Sequence, residues 1–232
     1  EDGRKKVLMM SCEGSYAPPS WVGIANSVDK VLTPSTYSKT AFLNAGIDEK
    51  KIHVVPHGVD HHYFNPEGSN YDWGNFTAID QDTFVFFSMA AFDYRKGIDI
   101  LLDVFFETFT AKDNVVLALK NNSFQSIFPD IDRRIRTHGC APKVALVEGE
   151  FPMETIASMM RSAHAGIFPY RGEGGFGLVP LEMIACGTPV IISNYGAPLE
   201  YATEQSSWFI PGDEIKMDMT NRFYDEDSRS TW

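Results

Sequence analysis

TFVFFSMAAFDYRKGIDILLDVFFETFTAKDNVVLAL, residues 83–119, decides the fold class. Thr83 to Met89 is an apolar run of strand length, and Val115 to Leu119 is another. Between them Ile98, Leu101, Leu102, Phe105, Phe106 and Phe109 recur at helical spacing and read as core before they read as a binding stripe. The pattern repeats downstream as strand then helix: Lys143 to Val147 before Met153 to Ala163, Ala165 to Phe168 before Leu178 to Cys186, and Pro189 to Ser193 before Pro198 to Ala202. A helix over Ile131 to His138 precedes the first of these pairs, and a last strand runs over Ser207 to Ile210. Such alternation predicts parallel strands joined by right-handed helical crossovers, an α/β doubly wound, Rossmann-like sheet.

Upstream the same grammar appears in shorter form. Val7 to Ser11 reads as a strand, Trp21 to Val28 as a helix and Lys30 to Ser35 as a strand stopped at Pro34. Ser35 then caps a helix that ends at Gly46, and Lys51 to Val55 is a third strand. From Pro56 to Asp82 no period survives, so a boundary is expected near residue 66, dividing the chain into 1–66 and 67–232. The acidic, polar tail from Gly212 is expected to be a surface excursion.

Composition narrows the function classes. With 44% hydrophobic and 22% charged residues among 232, the chain is a folded domain and not a disordered or disulfide-stapled one. A net charge of −11 opposes nonspecific attraction to nucleic acid or an anionic membrane, so an anionic ligand must be held by local donors. Cys12, Cys140 and Cys186 show no metal spacing and fit a reducing, cytoplasmic setting. Phe84 to Phe92 is too short for a membrane span, and Val7 to Met10 too short for a signal peptide; without an initiating Met, the chain is expected to be a fragment.

In doubly wound sheets ligands sit beyond the carboxyl ends of the strands, so the loops after them carry the chemistry. Tyr170-Arg171-Gly172-Glu173-Gly174-Gly175-Phe176-Gly177 opens the helix that bears Glu182. Its glycines let the backbone approach a ligand, and the helix amides offer an anion site. Ala90 to Gly97 places Arg95 and Lys96 before a helix start, where the dipole disfavours cations unless an anion joins them. Neither loop matches the phosphate-loop or dinucleotide fingerprints. His57, Asp60, His61 and His62 have metal-ligating chemistry, but Pro56 and Gly58 break the helix that would align them, so no metal is assigned. Lys120-Asn121-Asn122 leaves a strand end and faces the expected crevice. Cys186 reads as a small buried apolar residue.

Thr33-Pro34-Ser35, Val54-Val55-Pro56-His57-Gly58-Val59-Asp60 with Phe64 and Pro66, Arg95-Lys96-Gly97, Glu173-Gly174-Gly175-Phe176-Gly177 with Leu181-Glu182, and Ala185-Cys186-Gly187-Thr188-Pro189-Val190 occur in one order. Together they resemble glycosyltransferase family 4, the retaining nucleotide-sugar transferases of the GT-B fold, from about Ser11 to Pro211. The resemblance implies two Rossmann-like domains across a cleft, a donor such as a UDP-, GDP- or ADP-sugar held mainly by the C-terminal domain, no cofactor and no obligatory metal. It implies that 1–66 are the last units of an acceptor-side domain.

Carried over by position, Lys96 matches the lysine that binds the donor diphosphate, and Glu182 the glutamate that accepts from the donor ribose. Phe176, Gly177 and Leu178 fall where backbone amides meet the phosphates, with Gly174 and Gly175 in the same loop. Glu173 matches the first glutamate, near the transferred sugar, through a loop lengthened by one glycine; with Lys96 it is the expected catalytic pair. Ala91 stands where the family often has an arginine, and Arg95 is expected to supply that charge. Glu200 matches a further glutamate, or else serves in capping. The acceptor implied is a glycan or a lipid-linked sugar; peripheral membrane contact and self-association are compatible with this. The competing readings are a noncatalytic nucleotide-sugar-binding or assembly module and a sugar-nucleotide epimerase. Hydrolysis by Glu173 and Glu182 ranks below these, since a loop and helix do not hold the pair at a set separation.

Overall fold

The computed structural model describes residues 3–76, 79–121 and 128–213. Two parallel sheets organise it. The smaller has the order β1-β2-β3, from β1 (Val7–Met9), β2 (Lys30–Thr33) and β3 (Ile52–Val54). Its crossovers are α1 (Pro19–Ser27) and α2 (Thr36–Asn44). The Ser35 hydroxyl accepts from Ser38 N to cap α2, and Gly46, at φ 93°, carries the chain away from its end. Val31, Phe42 and Ile52 form the centre of this sheet's core.

The larger sheet has six strands in the order β6-β5-β4-β7-β8-β9. They are β4 (Phe84–Ala90), β5 (Val115–Asn121), β6 (Lys143–Val147), β7 (Ala165–Phe168), β8 (Val190–Ser193) and β9 (Ser207–Ile210). The helices are α3 (Ile98–Thr108), α4 (Phe128–Thr137), α5 (Met153–Ser162) and α6 (Leu178–Ala185). Strand β5 shows why its sequence is nearly continuously apolar: Val116 and Ala118 pack with Met159, Phe168 and Met183, while Leu117 and Leu119 pack with Leu102, Phe105 and Ile131. Both faces are covered, so the period of two is hidden beneath uniform hydrophobicity.

The chain runs outward from β4 through β5 to β6 and then returns to β7 on the other side of β4. That reversal opens a crevice beyond the carboxyl ends of β4 and β7. The two loops that leave these strands are the charged loop 91–97 and the glycine-rich loop 169–177. Among the described residues no helix is long and apolar enough to cross a membrane.

One expectation needs correction. Pro198 to Ala202 is not an α-helix; Ala197–Glu200 is a single 3-10 turn after Gly196. Ala197 N donates to Glu173 O at 2.9 Å, so this turn braces the glycine loop, and it ends at Tyr201, whose φ of −131° leaves helical geometry. The aperiodic connector is packed: Phe64 and Trp73 are buried against the larger sheet, and the Trp73 indole N–H donates to Ser162 Oγ at 2.9 Å. The Lys120 side chain is buried at the end of β5, and its ammonium donates to Asn121 O. Asn122 and the tail from residue 214 lie outside the described residues.

Candidate functional site

The charged loop is shaped by a local cap. Asp93 accepts from Lys96 N at 3.0 Å and closes one 3-10 turn over Tyr94–Lys96. Gly97, at φ 65°, then turns the chain into α3; a Cβ there would lie 2.0 Å from Pro169 O, so the two loops touch backbone to backbone. Arg171 N donates to Arg95 O at 2.8 Å, and the Arg171 guanidinium forks onto Asp99 at 2.7 Å. These ties direct Arg95 and Lys96 inward: Arg95 Nη1 donates to Gly172 O at 3.0 Å, and Lys96 Nζ pairs with Glu173. Lys96 Nζ also stands 4.2 Å from the centroid of the buried Tyr170 ring.

The glycine loop is held from the opposite side by the smaller sheet. Gly174 O accepts from Ser35 Oγ at 2.6 Å and from Ser38 Oγ at 2.8 Å. A Cβ at Gly174 would lie 2.0 Å from Cys12 O, a distance that glycine alone permits. Glu13, from the loop after β1, accepts from Gly174 N at 3.0 Å and Gly175 N at 3.3 Å, and pairs with Arg95 at 3.3 Å. Gly177, at φ 75°, is the N-cap of α6, whose first amides have no partners within the helix. Tyr201 O–H donates to Gly177 O at 2.6 Å.

Two adjoining cavities result. One, of about 250 Å³, is lined by Ser11, Glu13, Pro34, His57, Lys96, Tyr170, Glu173 and residues 175–179. The other, of about 730 Å³, is lined by Phe64, Met89, Lys120, Asn121, residues 149–151, Met153, Ile156 and Glu182, and shares Leu178 and Val179 with the first. The smaller cavity gathers charge and backbone amides, and the larger is mostly apolar with the Glu150 and Glu182 carboxyls and Lys120 on its walls. Burial lifts the Glu182 carboxyl to about pKa 7. Burial, followed by the Glu173 charge, raises that of Glu13. Burial likewise pushes the Cys186 thiol up to about 11, as befits an unreactive core cysteine.

Lys96, Glu173 and residues 175–178 therefore line one small cavity, with Arg95 and Gly174 tied to its wall through Glu13, while Glu182 faces the adjoining one. Sequence reasoning missed Glu13 and Tyr170. It weighed His57 only as a metal ligand, whereas His57 lines the small cavity and meets Phe176 edge to face with centroids 5.6 Å apart. Glu13 follows a strand end, so the rule that singled out the other two loops would have found it. Glu200 accepts from Thr36 N and so bridges the two sheets.

The fold and the site define an α/β protein with a cleft at a Rossmann-like switch point, suited to an anionic ligand with an apolar end. Comparison with known proteins narrows the class. The family profile described as glycosyl transferases group 1 matches residues 72–219. This chain belongs to that family. The D-inositol 3-phosphate glycosyltransferase of Segniliparus rotundus is 32% identical over 162 residues, which is 68% of this chain and 35% of the relative. The lipopolysaccharide core biosynthesis mannosyltransferase LpsB of Rhizobium meliloti is 25% identical over 184 residues, 76% of this chain and 51% of its own length. This chain thus spans about a third to a half of the length of these curated relatives. Among solved structures, Anabaena Alr3699/HepE in complex with UDP and glucose superposes with a TM-score of 0.71 at 19% identity, covering 90% of this chain and 58% of that one. TarM superposes with a TM-score of 0.69 at 14% identity, covering 90% of this chain and 41% of its own. The fold is that of these GT-B glycosyltransferases.

Proposed function

We propose that this chain is the donor-binding part of a retaining, family 4 glycosyltransferase, which moves a sugar from a nucleotide sugar to a glycan or lipid-linked acceptor. One observation carries the reading: Lys96 and the amides that open α6 line a cavity that shares Leu178 and Val179 with the one that Glu182 lines, and Arg95 is joined to the first through its pairs with Glu13 and Glu173. A nucleoside diphosphate has the matching shape. Its phosphates would lie with Lys96, Arg95 and the amides of residues 174–178, its base among the apolar walls, and its ribose hydroxyls would donate to Glu182. Glu173, buried beside Lys96, would face the sugar.

The chemistry follows from charge. Cleavage of the bond between the sugar C1 and the phosphate oxygen leaves negative charge on the nucleoside diphosphate, and fixed cations and amides stabilise it where it develops. The acceptor oxygen forms its bond to C1 from the same face and passes its proton to the departing phosphate, so configuration is retained. Residues 1–66 supply the acceptor side of the cleft in this reading, and the free cysteines suit a reducing compartment. The similarity of the chain to D-inositol 3-phosphate glycosyltransferases and to a mannosyltransferase supports a hexosyl donor.

Calorimetric titration with UDP, GDP and ADP tests the donor site. Saturable binding of one of them, lost in the Lys96→Ala, Glu182→Ala variant, is expected; no binding to a folded chain would move the assignment to a noncatalytic module. The reading also expects diphosphate affinity to be the same in EDTA as in added magnesium, and dependence on the ion would end the metal-free mechanism.

A further inference from the structure

Glu13 has no part in the scheme above, yet it occupies the scheme's most valuable donors. It leaves the loop after β1, crosses to the larger sheet and places Oε2 on Gly174 N, Gly175 N and Arg95 Nη1. Two neighbouring amides and a guanidinium are what a phosphate would require on entering the small cavity. Glu173 engages Arg95 at 3.4 Å and also pairs with Lys96, so two carboxylates already balance the two cations. A diphosphate added to that set would meet both negative charges at once. The groups that face Glu13 are Arg95 and Lys96 from the loop after β4, Glu173 from the loop after β7, and His57 and Tyr170 on the walls of the same cavity.

We propose that Glu13 is a resident anion in the donor site, which the donor's phosphate displaces from Gly174 N, Gly175 N and Arg95, so that Glu13 sets the affinity for the diphosphate. The proposal rests on the donor-site reading above. The direction in which burial and Glu173 move the Glu13 carboxyl agrees with it, because both make the anion harder to keep there. If Glu13 merely tied two loops together, its replacement would loosen the site and weaken every ligand.

The test is calorimetry of the 232-residue chain and of Glu13→Gln with UDP, GDP and ADP, and competition by the corresponding nucleosides, at about pH 5.5 and about pH 8. The variant is expected to bind the preferred diphosphate about tenfold more tightly at the higher pH, the equivalent of one pKa unit of competition. The ratio of variant to wild-type affinity should be smaller at the lower pH, where Glu13 more readily takes a proton, and the nucleosides should bind both chains alike. Comparing ratios cancels the ionisation of the ligand and of Glu182. Equal or weaker diphosphate binding by the variant, a ratio independent of pH, or equal tightening toward nucleosides would each overturn the proposal. Should Glu13→Gln fail to fold, Glu13→Asp withdraws the same charge by one methylene; tightening of the same sign is expected, and none in a folded chain overturns the proposal. Binding by wild type that Lys96→Ala abolishes, with no gain in Glu13→Gln, rejects the role of Glu13 and leaves the donor site standing. Binding by neither chain rejects both.

Discussion

Glu182 shows how one half-buried carboxyl makes stability depend on pH. Its ordinary pKa of 4.5 is lifted by burial to about 7, so the folded chain holds this proton more tightly than the unfolded chain. The sign follows: the contribution to stability is full below about pH 4.5 and declines as pH rises toward 7, because the folded state must then bury a charge. Replacement by Gln is expected to remove the decline, making the variant more stable than wild type by on the order of 1 kcal/mol at about pH 8 and equal to it below about pH 4. Denaturant unfolding at the two pH values checks this, and a difference independent of pH would contradict it. If ribose hydroxyls donate to the ionised carboxylate, the ratio of wild-type to Glu182→Gln affinity for the diphosphate should rise from pH 6 to pH 8. Glu182 was legible in the sequence by motif, but its raised pKa depends on what surrounds it, including Phe64 from the connector.

At the scale of elements, the glycine loop is a backbone wedge between two sheets. Gly174 receives two serine hydroxyls on its carbonyl and a carboxylate on its amide while nearly touching Cys12 O. A methyl at this position cannot fit unless the loop after β1 or loop 169–177 moves. Gly174→Ala is therefore expected to cost about 2 kcal/mol or more and to weaken diphosphate binding, as read by thermal unfolding and calorimetry. An unchanged melting temperature would show that the contact yields easily. The strands and helices themselves were legible because apolar spacing reports them locally, and Ser35 and Gly46 mark α2 by caps that act within a few residues. The failure at 198–202 has the opposite character. The turn ends at Tyr201, whose hydroxyl donates to Gly177 O, distant in sequence, and no local pattern records that bond.

At the scale of the whole molecule, the two sheets are tied by side chains around the site. The hydroxyls of Tyr37 and Tyr195 are hydrogen-bonded, Glu200 accepts from Thr36 N, and Ser35 and Ser38 reach Gly174. A ligand that orders the glycine loop should thus be felt across the cleft. Amide hydrogen exchange is expected to slow on diphosphate binding at residues 174–179 and also at residues 35–38, whose serines hold Gly174 O. Protection confined to the larger sheet would show that the smaller sheet does not share in binding. The sequence by itself determined the alternation of strand and helix, the loops at strand ends and the ordered motifs, because periodicity, caps and glycine punctuation are short-range properties. It did not reveal that Glu13 and His57 join Lys96 and Glu173 in one cavity, or that Arg95 is shared between two carboxylates. Those facts were decided by tertiary structure alone, because residues far apart in the chain meet only when the crossovers of both sheets have been packed.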